Sequence, residues 1–89
     1  MVKIGIYNYE KSTNLKKKLM VIVNGKKIHF GSRDMEHFKD KTGIWKNKDH
    51  NDAKRRKNYL TRSAGIKGKN GLTKDDPNSA NYHSRRILW

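Results

Sequence analysis

The feature that most restricts how this chain folds is the Asn24-Gly25 dipeptide with an apolar run on either side of it. Asn-Gly readily takes the positive φ values of a type I′ turn, which joins two antiparallel strands through a two-residue loop. That loop length fixes the register, so that Val23 faces Lys26, Val21 faces Ile28 and Leu19 faces Phe30. Directly opposed residues share a sheet face. Leu19, Val21, Val23, Ile28 and Phe30 therefore make one apolar surface, and Lys18, Met20, Ile22, Lys27 and His29 fall on the other. A slip of one residue would set Phe30 against Met20 and scatter the apolar set, so the pattern specifies its own pairing over residues 17–23 and 26–31.

An isolated hairpin is marginal in water, so other segments must cover its apolar face. Val2, Ile4 and Ile6 alternate with Lys3, Gly5 and Tyr7, which predicts a third strand over 2–7, followed by a polar connection Asn8–Lys16. Asp49 reads as a helix N-cap with Asp52 in the first turn, and no Gly or Pro interrupts Ala53–Ala64. This predicts a basic helix over 50–64 whose narrow apolar stripe is Ala53, Leu60 and Ala64. Gly65–Gly71 reads as a loop, and Asp76-Pro77 as the cap and first residue of a short helix over 77–86. Ile87, Leu88 and Trp89 are expected to pack on the hairpin or on a second subunit. The expectation is a single α+β domain, residues 1–89, with a small antiparallel sheet covered by the two helices.

Composition decides what surrounds that core. The 89 residues include 22 Lys+Arg against 8 Asp+Glu, a formal net charge of +14, and no cysteine. No apolar stretch is long enough for a transmembrane span or a secretory h-region, and a disulfide framework or thiolate zinc site is excluded. Leu, Ile, Val and Phe number 17, just under the roughly 20% below which a highly charged chain tends to disorder. So small an apolar count makes self-association the expectation. The charge belongs to the whole chain: residues 1–44 carry ten basic and four acidic side chains, and residues 45–89 carry twelve and four.

Enzymatic readings fail for want of partners. Gly5-Ile6-Tyr7 matches the first tripeptide of GIY-YIG nucleases, but no Tyr-Ile-Gly follows. Asp49-His50 resembles the start of a histidine-metal nuclease motif, yet His83 lies 33 residues on and nothing between follows the pattern. His29, His37, His50 and His83 form no i, i+4 pair, and the acidic group around His37 and Asp40 suits pairing with Lys or Arg better than metal ligation. Gly65, Gly68 and Gly71 lack P-loop spacing. No catalytic residue, metal or cofactor is therefore assigned.

Cations remain as the chemistry of the chain. Lys54, Arg55, Arg56, Lys57 and Arg62 place five positive charges within three helical turns, and phosphates would relieve their repulsion. Lys17, Lys18, Lys27, Lys67, Lys69, Arg85 and Arg86 supply a second surface from other elements. Tyr59 and the tryptophans are candidates for stacking on bases, with core packing favoured for Trp89. Several basic runs on a small chain point to a polyanionic partner, and lysine-rich contacts point to the phosphate backbone rather than base edges. Double-stranded DNA is the leading partner and no membrane is expected. An RNA-binding module of ribosomal-protein type is the alternative, followed by a small metal-dependent nuclease and a protein lining an acidic surface.

The segment Lys26-Lys27-Ile28-His29-Phe30-Gly31 also resembles the K-K-I-H-F-G segment of small basic proteins of nucleocytoplasmic large DNA viruses, closest to mimivirus-type members. In that family a His/Lys/Asp stretch, a helix of the form R-K-x-R-Y-x-x-R-H and a terminus like F-W-S-R-W-L-L-W follow. Lys48-Asp49 resembles the Lys-Asp step, Arg55, Arg56, Tyr59 and Arg62 fall on the helix pattern, and Ser84, Arg85, Ile87, Leu88 and Trp89 match the terminal motif. Asn58 and Ser63 stand for a usual Arg and His, Arg86 for a usual aromatic, and Gly71–Asn78 is an insertion. The resemblance covers about residues 17–89. It implies a viral nucleoid protein that binds and condenses DNA in the virion and the infected host cell.

Overall fold

The structure, a computed structural model, describes residues 2–69 and 71–89. Four strands, β1 (Val2–Ile4), β2 (Tyr7–Lys11), β3 (Lys17–Val23) and β4 (Lys26–Ser32), form an antiparallel meander in the order β1-β2-β3-β4. Two helices follow, α1 (Ala53–Ser63) and α2 (Ala80–Ile87), with the two-residue strands β5 (Lys67–Gly68) and β6 (Gly71–Leu72) between them. The α+β architecture matches the expectation from sequence.

The hairpin has the register that its turn dictates. Asn24 and Gly25 both have positive φ (52° and 79°), and Leu19 pairs with Phe30, Val21 with Ile28 and Val23 with Lys26. All five residues of the apolar face are buried, and Tyr9, Ile87 and Leu88 complete the core. The last turn of α2 thus covers the sheet, as expected for Ile87 and Leu88.

The N-terminal segment departs from the expected single strand. Gly5 takes a φ of 64°, so Gly5 and Ile6 form a two-residue turn and residues 2–7 contribute to two strands rather than one. The turn moves Ile6 out of the alternation, leaving it 81% exposed. Tyr9, in the segment read as a connection, pairs with Val21 and is fully buried. Its ring meets Phe30 edge-on at 5.8 Å, and its hydroxyl reaches His83 Nδ1 at 2.9 Å. Because Pro77 O can only accept, His83 Nε2 carries the proton it gives at 2.6 Å, and Nδ1 accepts from Tyr9. Burial holds the His83 imidazole below its usual pKa and pushes the Tyr9 phenol up to about 12.

Both helices begin later than expected. Asp52 caps α1 by accepting from the Lys54 and Arg55 amides, while Asp49 is taken by His37 and the Asp40 amide. Ser79 caps α2, and Asp76 closes a local turn onto Asn78 instead. The expected loop Gly65–Gly71 contains β5 and the start of β6; Asn70 lies outside the described residues.

Candidate nucleic-acid interface

Helix α1 presents its cations because very little of it is buried. Ser63 is its one buried residue, Tyr59 and Leu60 are half-buried, and Ala53, expected on the apolar stripe, is exposed. Polar bonds hold the helix where apolar area does not. Arg85 Nη1 donates to Leu60 O at 2.5 Å and Ser63 Oγ at 2.6 Å, Asn81 Nδ2 donates to Ser63 O, and the Tyr59 hydroxyl meets Ser84 Oγ. Trp89 lies flat on Tyr59, with ring centroids 4.1 Å apart and planes 10° from parallel. Every one of these partners comes from α2 or the residues just after it.

Of the twelve cations named from sequence, ten are exposed: Lys54, Arg55, Arg56, Lys57, Arg62, Lys17, Lys27, Lys67, Lys69 and Arg86. Arg56 also donates to Trp89 O and lies 5.3 Å from the Phe38 ring, and Arg86 donates to the Tyr82 hydroxyl. Among the described residues the ion pairs to acidic side chains are His37–Asp49, Arg55–Glu36 and Lys74–Asp75. Of the 22 Lys and Arg, 17 are exposed, and Arg55 alone among these 17 meets an acidic side chain.

Lys18 and Arg85 have other work. Arg85 clamps α1 to α2, as described. Lys18 is 1% exposed and cannot present its amine to a phosphate. Its Nζ donates to Met35 O and to His37 Nδ1 at 2.8 Å, and His37 Nε2 donates in turn to Asp49 Oδ1 at 2.5 Å. Lysine has no acceptor, so this chain fixes His37 as the neutral Nε2–H tautomer between an ammonium and a carboxylate. Burial, with the neighbouring Lys48 charge, lowers the Lys18 amine to about 8; burial and Lys18 hold His37 below its usual value. Asp40 stays close by: its carboxylate accepts from the Thr42 and Trp45 amides. These bonds fasten the long connection from β4 to α1 against the hairpin.

The aromatic candidates for base stacking are also engaged. Tyr59 and Trp89 stack on each other, and Lys11 and Arg33 each lie 5.3 Å from the Trp45 ring, whose indole donates to Lys18 O. His29, on the second face of the hairpin, bonds Ser12 Oγ. His50 is half-buried, its Nδ1 accepting from the Asp52 amide; burial and then Arg55 lower its pKa. Among the described residues no group of three or more His, Cys, Asp or Glu is arranged to hold a metal ion. Among the described residues no helix is long and apolar enough to cross a membrane.

Reading runs of charge missed Lys39, Lys41 and Lys46, exposed cations of the β4–α1 connection. They occur singly between turns, with Lys39 directly after Phe38 and Lys46 directly after Trp45, so no run of charge marked them. The chain matches no protein-family model, no curated protein and no solved structure.

Proposed function

We propose that this protein binds double-stranded DNA without regard to sequence, neutralising and bridging duplexes so as to compact a genome. The observation that carries this reading is α1, a helix whose Lys54, Arg55, Arg56, Lys57 and Arg62 are all exposed, with only Arg55 and Arg56 of the five hydrogen-bonding elsewhere in the fold through their side chains. Five like charges on three turns repel one another, and a phosphate backbone relieves that repulsion as it releases its own counterions. Lysine and arginine contacts to phosphate, spread over several elements, position a protein on a duplex and carry no sequence information of their own.

Bridging needs two separated surfaces, and the hairpin supports them. Lys17 stands at the end of β3 nearest α1, whereas Lys26 and Lys27 stand at the turn, six residues and about 20 Å further along the strand. Self-association would multiply such surfaces and belongs to the same proposal. A place in the nucleoid of a viral particle follows from the family resemblance and is proposed on that ground alone.

A mobility shift with two unrelated duplexes and a structured RNA as competitor, read alongside light scattering, tests this function. Equal shifts on both duplexes, weaker competition by RNA and a rise in scattering are expected. Competition by RNA at lower concentration than duplex DNA would transfer the reading to an RNA-binding module.

A further inference from the structure

The two most exposed large apolar side chains among the described residues are Ile6, 81% exposed, and Leu15, 80% exposed. Single exposed apolar residues are ordinary on a protein surface. These two differ in standing at the tips of tight, hydrogen-bonded connections with cations around them. Ile6 shares a two-residue turn with Gly5, whose φ is 64°. Such a turn asks for glycine first and a small polar residue second, so its geometry gives no reason for an isoleucine. Tyr9 pairs with Val21, so Tyr7 lies beside Val23 and this turn lies beside Asn24-Gly25. Lys3, Lys26 and Lys27 are exposed at this end of the sheet, and Arg86 Nη2 comes within 3.5 Å of the place a Gly5 Cβ would take.

Leu15 lies beyond the opposite end of β2, in the connection to β3. Ser12 Oγ accepts from the Asn14 amide, Asn14 Oδ1 accepts from the Lys16 amide, and the Lys17 amide donates to Asn14 O. Arg33 fastens the connection to β4: its amide donates to Lys16 O, and its guanidinium donates to Lys17 O at 2.6 Å and Ser12 O at 2.9 Å. The backbone on both sides of Leu15 is thus bonded down, with the side chain left in water. Lys11 ends β2 and Lys16-Lys17 lead into β3, all three exposed, and no acidic residue occurs between Glu10 and Asp34. Of the acids beyond Arg33, Glu36 turns to Arg55. The two apolar tips therefore fall at the two basic ends of the sheet, the surfaces on which duplex bridging rests.

We propose that Ile6 and Leu15 are wedges that enter between base pairs of bound DNA, each kinking the duplex held by the cations around it. The assignment rests on the DNA-binding reading and adds an activity to it, bending as well as neutralisation. An aliphatic tip set among lysines fits a partner that is anionic outside and apolar within, and base faces behind phosphates are that combination. Inserted from the minor groove, the side chain covers base faces that the kink unstacks, and cations on either side hold the phosphates of the bent strands. Every base has such a face, so contact with it reads no hydrogen-bonding pattern and leaves binding indifferent to sequence.

A duplex of roughly 20 base pairs, with donor and acceptor dyes on its ends and 2-aminopurine near its centre, tests the assignment at saturating whole protein. Binding is expected to raise both the energy transfer, as the ends approach, and the 2-aminopurine fluorescence, as the probe base unstacks. Leu15→Ser and Ile6→Ser should each lose about half of both changes, and the double variant nearly all of them. Leu15→Met keeps an apolar wedge and should keep both signals. Each Ser variant alters an exposed side chain and no charge. Should Leu15→Ser fail to fold, Leu15→Asn takes its place with the same expected loss. A duplex that is bound yet neither bent nor unstacked, or a bend that persists in the double Ser variant, would overturn the wedges and leave the DNA-binding reading standing. A protein that shifts no duplex would remove that reading and the wedges with it. Tighter binding to phosphatidylserine vesicles than to duplex, lost in the Ser variants, would overturn the assignment in favour of a lipid surface.

Discussion

Strands β3 and β4 bury five apolar residues of one face, Leu19, Val21, Val23, Ile28 and Phe30, whereas the eleven residues of α1 bury Ser63 alone. Both regions rest on α2 and the residues after it. Ile87 and Leu88 turn toward the sheet, while Arg85, Asn81, Ser84 and Trp89 turn toward α1. A chain with 17 Leu, Ile, Val and Phe residues cannot give every element an apolar underside. Here the sheet takes most of that supply, and the basic helix is fastened by hydrogen bonds and one aromatic stack. The consequence for function is direct: a helix fastened at one edge by polar groups leaves its cations in water, where a phosphate can reach them.

The largest effect expected from this contrast is in the sheet. Phe30→Ala removes a 1% exposed ring and should cost about 3–5 kcal/mol, a large part of what a domain this size has, seen as a collapse of the urea midpoint. A cost near that of an average surface change would break the comparison. On the helix side, Arg85→Ala deletes two charge-assisted bonds to the end of α1 and should cost about 1.5–3 kcal/mol. Amide exchange should speed up in α1 ahead of β3, because the sheet keeps its own core. Equal acceleration in both would mean that the two regions unfold as one.

The pH dependence sharpens the same contrast. His37, His83 and His50 have folded-state pKa values below the usual 6.5, so the unfolded chain takes up protons first as pH falls. Their contribution is fully present above pH 6.5 and is lost as pH drops toward the folded values. Tyr9 runs the other way: raised from 10.0 to about 12, it contributes below pH 10 and loses that contribution between 10 and 12. His37→Asn should flatten the acid limb of a melting-temperature profile and leave the Tyr9 limb in place. The smallest effect belongs to the α1 cap, where Asp52→Ala should cost about 1 kcal/mol in thermal melts.

What the sequence disclosed followed the same division. The hairpin was legible to the residue because turn length, alternation and burial all specify one register. The N-terminal segment was not, because Gly5-Ile6 reads equally as part of a strand, and only its positive φ turns the chain back on itself. The helix starts were misplaced for a related reason: Asp49 and Asp76 are plausible caps by type, and tertiary partners or a local turn claimed them first. At the candidate interface, exposure of α1 was legible from its charge density. The burial of Lys18 was not, since nothing local announces that His37 and Asp49 stand across the fold from it. The same is true of Arg85, whose acceptors lie 22 and 25 residues away.

The central claim is that the exposed cations bind phosphates and do not read bases. It is tested most directly by measuring duplex affinity across a range of salt concentrations for two unrelated sequences. With about six phosphates neutralised, log K should fall with log salt at a slope near −5, on curves that nearly superimpose. Replacing Lys54 and Lys57 by alanine should make that slope shallower by roughly one unit for each phosphate no longer neutralised. A flat salt response, or curves that separate widely with sequence, would contradict the account.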